Sequence, residues 1–256
     1  MSALRLIGIG WWLQLKMRSR SAFDGALSIA YPLFFATSIF LIYRQHASAS
    51  ALVSAAVGSS VMGVWSAVAT TASTALQQER RLGTLELLAC SPRAFGSLIV
   101  PMTLSMATIG LYSLVATLLW GRFVFGIPIS LQRPATFAVA CVVTAAGVAA
   151  LGFMLAVNAV RYRSAWALGT ALELPVWLVC GFIVPTSMLP AWVQPVSWAI
   201  PITWGVNAIK KAATGGDAWL DIVACVGLSA FYFAAGALLA TRLINQARRH
   251  ATLALT

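Results

Sequence analysis

Residues 135–160 read ATFAVACVVTAAGVAALGFMLAVNAV, with no charged side chain between Arg133 and Arg161. A bilayer core about 30 Å thick is crossed by roughly 20 apolar residues in a helix. An α-helix satisfies its own backbone groups where no water is present. The run therefore reads as a membrane-spanning helix. Comparable apolar runs occupy 23–43, 51–76, 94–120, 165–184 and 219–239. The expected fold class is all-α: a polytopic membrane protein with six transmembrane helices in a single transmembrane domain, 1–256.

Composition points the same way. Hydrophobic residues make up 60% of the 256 residues and charged residues 9%, with a mean hydropathy of +0.87. A soluble domain carries about 25% charged residues. Too few charges remain to cover a water-facing surface of this size.

Two stretches are apolar without being spans. Residues 4–20 carry Trp11 and Trp12 among Leu and Ile, but also Arg5, Lys16, Arg18 and Arg20. That mixture suits an interfacial helix with tryptophans at headgroup level, although Gly8 and Gly10 weaken the helix. Residues 185–213 hold Pro185, Pro190, Pro195 and Pro201, with Trp192, Trp198 and Trp204 between and after them. Interior prolines remove hydrogen bonds and clash with the preceding turn. Short external, re-entrant helices between the fifth and sixth spans are the expectation. The second span is rich in small residues (Gly58, Ser59, Ser60, Gly63), which let helices approach closely in lipid.

The basic residues set the orientation. Arg5, Lys16, Arg18, Arg20, Arg80, Arg81, Arg93, Arg161, Arg163, Arg242, Arg248 and Arg249 fall on one side of a six-span layout. Arg44, Arg122, Arg133, Lys210 and Lys211 fall on the other. The first set is more than twice the second, so both termini are expected in the cytoplasm and the chain in a cell membrane. The net charge of +11 is thus a topology signal, not a nucleic-acid surface. No segment has the form of a cleavable signal peptide.

Several chemistries lack their residues. The cysteines Cys90, Cys141, Cys180 and Cys225 form no CxxC pair and read as small hydrophobes. His46 and His250 lie far apart, so neither a metal site nor a catalytic set is expected. No GxxxxGK[ST] loop is present to bind ATP, and GxSxG is absent.

The polar island after the second span carries the functional signal: Glu79, Arg80, Arg81, Leu82, Gly83, Thr84, Leu85, Glu86, Leu87, Leu88, then Ser91 and Pro92. Gly83 can end one helix in a left-handed conformation. Thr84 can cap a short helix with Glu86 in its first turn. Ser91 and Pro92 suit the start of the next span. A docking surface for a cytoplasmic partner and an ordinary charged loop between well-capped helices both fit. This island resembles the cytoplasmic segment of ABC-2-type exporter permeases. A second stretch, Gly181-Phe182-Ile183-Val184-Pro185 with Met188-Leu189-Pro190, Trp192, Pro195, Pro201 and Trp204, is similar to that family's segment after the fifth span.

The resemblance implies a transport subunit without enzymatic activity, an exporter; the few fixed charges along its spans suit an amphipathic cargo, a drug, natural product or lipid-like molecule, and polysaccharide export stays open. It implies partners: separate ATP-binding cassette subunits, which hold the ATP and Mg, and a second permease copy or paralogue in the membrane lipid. It also implies that 84–89 is a coupling helix, with Glu79, Arg80, Arg81 and Glu86 as contacts, and that 4–20 is a connecting helix. The second and fifth spans would line the path, with Ser60, Trp65, Glu173 and Trp177 as its candidate residues. Glu173 stands out physically, because an intramembrane carboxylate is costly and functional by default; the other reading is a carboxyl near the cytoplasmic third that is hydrogen-bonded to a neighbouring helix or protonated. An ion-gradient-driven secondary transporter is the alternative, with Glu173 as its one convincing ionisable group. Asn158 is expected to bond across helices, and Pro175 to kink the fifth span.

Overall fold

The computed structural model describes residues 3–19, 22–43, 49–81, 83, 96–127, 132–161 and 165–250. The described elements are helical, without strands: α1 Ala3–Ser19, α2 Ala22–Tyr43, α3 Ala49–Arg81, α4 Gly96–Phe125, α5 Pro134–Arg161 and α6 Ala165–Val179. A 3-10 turn at Thr186–Met188 follows, then α7 Gln194–Ala199, α8 Pro201–Thr214 and α9 Trp219–His250. The all-helical expectation holds. Four stretches are long and apolar enough to cross a membrane: Ala51–Ala69, Ile99–Phe125, Pro134–Asn158 and Trp219–Arg242. Pro32–Ile42 and Gly169–Val179 are shorter apolar helices.

Burial ranks these helices from centre to rim. In α3 the apolar window is 78% buried inside the protein, against 17% in α9. α3 packs against α2, α4, α5, α6 and α8. Its small residues make this possible. A Cβ at Gly58 would overlap the carbonyl oxygen of Phe182, and one at Gly63 would press on Pro32 and Ser113. Val57, Val61, Val64, Trp65 and Val68 fill the space around these approaches, all essentially inaccessible. α9 leans on α5 and α8, with Phe153 and Phe233 stacked at 5.3 Å. Its other face, including Leu220, Val223, Phe231 and Leu238, is exposed.

α1 lies against α4. Gly10 is the point of closest approach, where a Cβ would stand 3.1 Å from the Pro101 ring. Trp11 Nε1 donates to Thr108 Oγ1 at 3.0 Å. Ile9, Trp12, Leu13 and Met17 remain exposed.

The prolines of 185–213 start elements more than they interrupt them. Pro185 precedes the 3-10 turn, Pro195 sits in the first turn of α7 and Pro201 opens α8. At such positions the missing N–H has no helical acceptor to lose. Trp204 Nε1 donates to Trp198 O at 2.8 Å, and Tyr232 Oη donates to Ala199 O at 3.2 Å, tying α7 to α8 and α9. α8 then buries Ile202, Val206 and Ile209 completely.

Two details differ from the sequence reading. α6 stops at Val179, short of Val184, because Gly181 turns left-handed at φ +76°. Its N–H donates to Leu178 O, and the Phe182 N–H donates to Trp177 O, the paired bonds of a Schellman ending. Asn158 Nδ2 donates to Met154 O at 2.9 Å, one turn back in its own helix and not across a helix pair.

Candidate functional site

The seam between α3 and α6 holds one buried polar pair of the core. α3 contributes Trp65 and Ser66; α6 contributes Glu173 and, one helical turn on, Trp177. Ser66 Oγ donates to Glu173 Oε1 at 2.5 Å. Both residues are buried, Glu173 to 8% exposure. The carboxylate therefore sits in the packed interior with a donor supplied by the neighbouring helix.

Two indoles are buried on the same two helices, Trp65 next to Ser66 in the chain and Trp177 one turn from Glu173. Trp65 is 2% exposed and Trp177 4%, and neither Nε1 has a hydrogen-bond partner among the described residues. A buried N–H without an acceptor costs free energy. Trp177 also meets Phe35 of α2 edge-on at 5.3 Å. The seam thus offers aromatic surface and two unused donors on the helices that carry one carboxylate.

Three of the four candidate path residues, Trp65, Glu173 and Trp177, lie on this seam. Ser60 is buried on α3, but its hydroxyl donates to Val57 O at 2.7 Å within the helix. Sequence reasoning does not single out Ser66. A serine beside a tryptophan carries no local sign that its partner lies on another helix. Pro175 lies within α6 between Glu173 and Trp177. Its lack of an N–H leaves the Ala171 carbonyl without its helical donor.

Just past Trp177, the Gly181 turn at the C-terminal end of α6 meets α8. Lys210 Nζ donates to Gly181 O at 2.7 Å. Burial lowers the pKa of the Lys210 ammonium to about 8. The adjacent Lys211 makes the ion pair instead, 2.6 Å from Asp221 Oδ2 at the start of α9.

The polar island divides. α3 continues through Glu79, Arg80 and Arg81 as one helix, and Gly83 takes the left-handed conformation at φ +70°. Leu82 and Thr84, Leu85, Glu86, Leu87, Leu88, Ser91 and Pro92 lie outside the described residues.

Residues 5–213 match the ABC-2 type transporter family. That span is most of the chain, and the chain belongs to this family. It is a multi-pass membrane protein, the membrane-spanning transport subunit of an ABC transporter, a class that works with an ATPase partner. No curated protein matches the chain.

Proposed function

We propose that this chain is the permease subunit of an ATP-driven exporter of amphipathic molecules, drug-like, natural-product-like or lipid-like. The observation that carries this reading beyond the family is the α3–α6 seam, where Ser66 and Glu173 pair on helices that also bury two indoles whose N–H groups have no partner among the described residues. A path built this way presents aromatic and aliphatic surface, few fixed charges and a small number of hydrogen-bonding atoms. Those are the features that accept an apolar body with a few polar atoms.

Two such chains, identical or paralogous, would enclose the path between them. Separate cassette subunits would bind ATP and Mg and dock on the segment from Glu79 to Pro92. The backbone supports that role in one respect. α3 runs without a break from the seam to Arg81, so a push at its end is transmitted to Ser66 through a rigid rod. Both termini would lie in the cytoplasm of a cell membrane.

The test is co-expression with a candidate cassette subunit and reconstitution in nanodiscs. Arg81→Ala with Glu86→Ala is expected to reduce cassette-dependent ATP hydrolysis by an order of magnitude or more, about 1.4 kcal/mol of docking free energy per factor of ten. Normal assembly and coupling in that variant would remove the docking assignment. Failure of any cassette subunit to co-purify would remove the exporter reading. The buried Glu173 favours one rival, transport driven by an ion gradient. Cargo uptake into inverted vesicles that persists when ionophores collapse all gradients, and stops when ATP is withdrawn, excludes it.

A further inference from the structure

Lys210 and Lys211 are neighbours with opposite circumstances. Lys211 is half exposed and has a carboxylate, Asp221. Lys210 is largely buried, and its hydrogen-bond partner among the described residues is a neutral carbonyl, that of Gly181. A cation removed from water normally takes a charged partner. Here a carboxylate stands close to the next residue, and Lys210 reaches the end of another helix instead.

Gly181 lies just past that helix, whose last residue is Val179, so its carbonyl stands outside the helical ladder. The Schellman bonds use Trp177 O and Leu178 O, and the Gly181 carbonyl is left for Lys210. The following residue, Phe182, is 1% exposed, and its carbonyl presses on Gly58 of α3. The turn at 180–182 is therefore clamped from two sides, by α3 at Gly58 and by α8 through Lys210.

We propose that Lys210 is a positioning residue that latches this end of α6 to α8 and so holds the end of the α3–α6 seam shut. The inference rests on the reading that α6 lines the path; it adds the residue that fixes the helix's closed position. A lysine–carbonyl latch has a property that an ion pair lacks. When it opens, water solvates the ammonium, and no carboxylate is stranded in the interior. The cost of keeping the cation in place makes the latch reversible, while the loss of the donor leaves a buried carbonyl that must find water.

The test follows water at Cys180, the fully buried residue beside Gly181. The parent is the full chain in nanodiscs carrying Cys90→Ser, Cys141→Ala and Cys225→Ala, so that Cys180 is the sole thiol. It is labelled with a polar maleimide, without ATPase partner or cargo. Lys210→Met keeps the aliphatic stem and removes the donor. It is expected to raise the labelling rate about tenfold, the factor for loss of one ordinary hydrogen bond. Lys210→Arg keeps a charged donor and is expected to label within about twofold of the parent. Lys211→Ala strands Asp221 and lowers thermal stability, yet is expected to leave Cys180 protected. Unchanged labelling in Lys210→Met overturns the latch. So does an equal rise in Lys211→Ala, or a rise in Lys210→Arg as large as that in Lys210→Met. If Lys210→Met is not monodisperse, Lys210→Gln is measured against the same controls and read the same way. Because cassette and cargo are absent, a failed latch leaves the permease reading intact, and failed cassette docking leaves the labelling result standing.

Discussion

Ser66 and Glu173 are separated by 107 positions in the chain, and that separation explains what the sequence could show of the site. A glutamate in an apolar run announces itself by the cost of burying it. A serine does not, because a membrane serine can bond back to its own helix, as Ser59 and Ser60 do here. Trp65 and Trp177 are visible as large residues on the two spans of interest, but their unpartnered N–H groups depend on what surrounds them. Lys210 is legible only as an external charge, since its partner is a backbone carbonyl at the end of another helix. The Ser66–Glu173 pair makes a quantitative prediction. Ser66→Ala removes the hydroxyl that Glu173 accepts from and is expected to destabilise the protein by about 1–3 kcal/mol, the cost of an unsatisfied buried group. Replacing both partners with apolar side chains avoids that cost. The double variant Ser66→Ala with Glu173→Leu is therefore expected to be more stable than Ser66→Ala alone, while transport is lost. Thermal unfolding in nanodiscs measures the first comparison and vesicle uptake the second. A double variant less stable than both singles would show that the carboxylate has other supports.

Helix boundaries are where physical reading of the elements gains and loses. Gly83 reads as a left-handed stop, and it adopts that conformation. The signal is local, a glycine between two helix-forming segments. The fifth span reads through Val184 because its residues stay apolar that far, yet α6 ends before Gly181. Apolarity reports burial, not helicity, and the glycine at 181 decides the backbone. The same glycine lets Phe182 turn toward α3, where the absence of a side chain at Gly58 admits its carbonyl. Contact between a small residue and another backbone cannot be relieved by rotating a side chain. Gly58→Ala is accordingly expected to lower the yield of folded protein severely, by the mechanism of overpacking, at about 1–3 kcal/mol or more. Gly8→Ala is the matched control. A Cβ at Gly8 would meet nothing within 4 Å, and alanine there is expected to stabilise α1 by about 0.5–1 kcal/mol. Fluorescence-detected size-exclusion and thermal midpoints of both variants separate a close helix approach from mere glycine content.

At the scale of the whole molecule, helix length carries topological information. α3 has 33 residues and α9 has 32, so each is about 50 Å long at 1.5 Å per residue. The hydrocarbon core takes about 30 Å of that. Along α3 the sequence carries no charged residue from Ala49 to Gln78, and along α9 none from Ile222 to Thr241. The surplus is thus at the C-terminal ends, where α3 carries Glu79, Arg80 and Arg81 and α9 carries Arg248 and Arg249. Basic residues beside a span favour the cytoplasmic side, so both projecting ends are expected there, with the 3-10 turn and α7 on the opposite side. This requires an even number of crossings between the ends of α3 and α9, which α4, α5, α6 and α9 supply. In a cysteine-free chain, single cysteines at Gln78→Cys and Gln246→Cys are expected to react with an impermeant maleimide only after cells are permeabilised. Ser187→Cys is expected to react in intact cells. If Gln78→Cys and Gln246→Cys report opposite sides, one of the short helices α6 or α8 has been assigned the wrong role. The path between α3 and α6 would then have to be redrawn, because α6 can line it only by crossing the membrane beside α3.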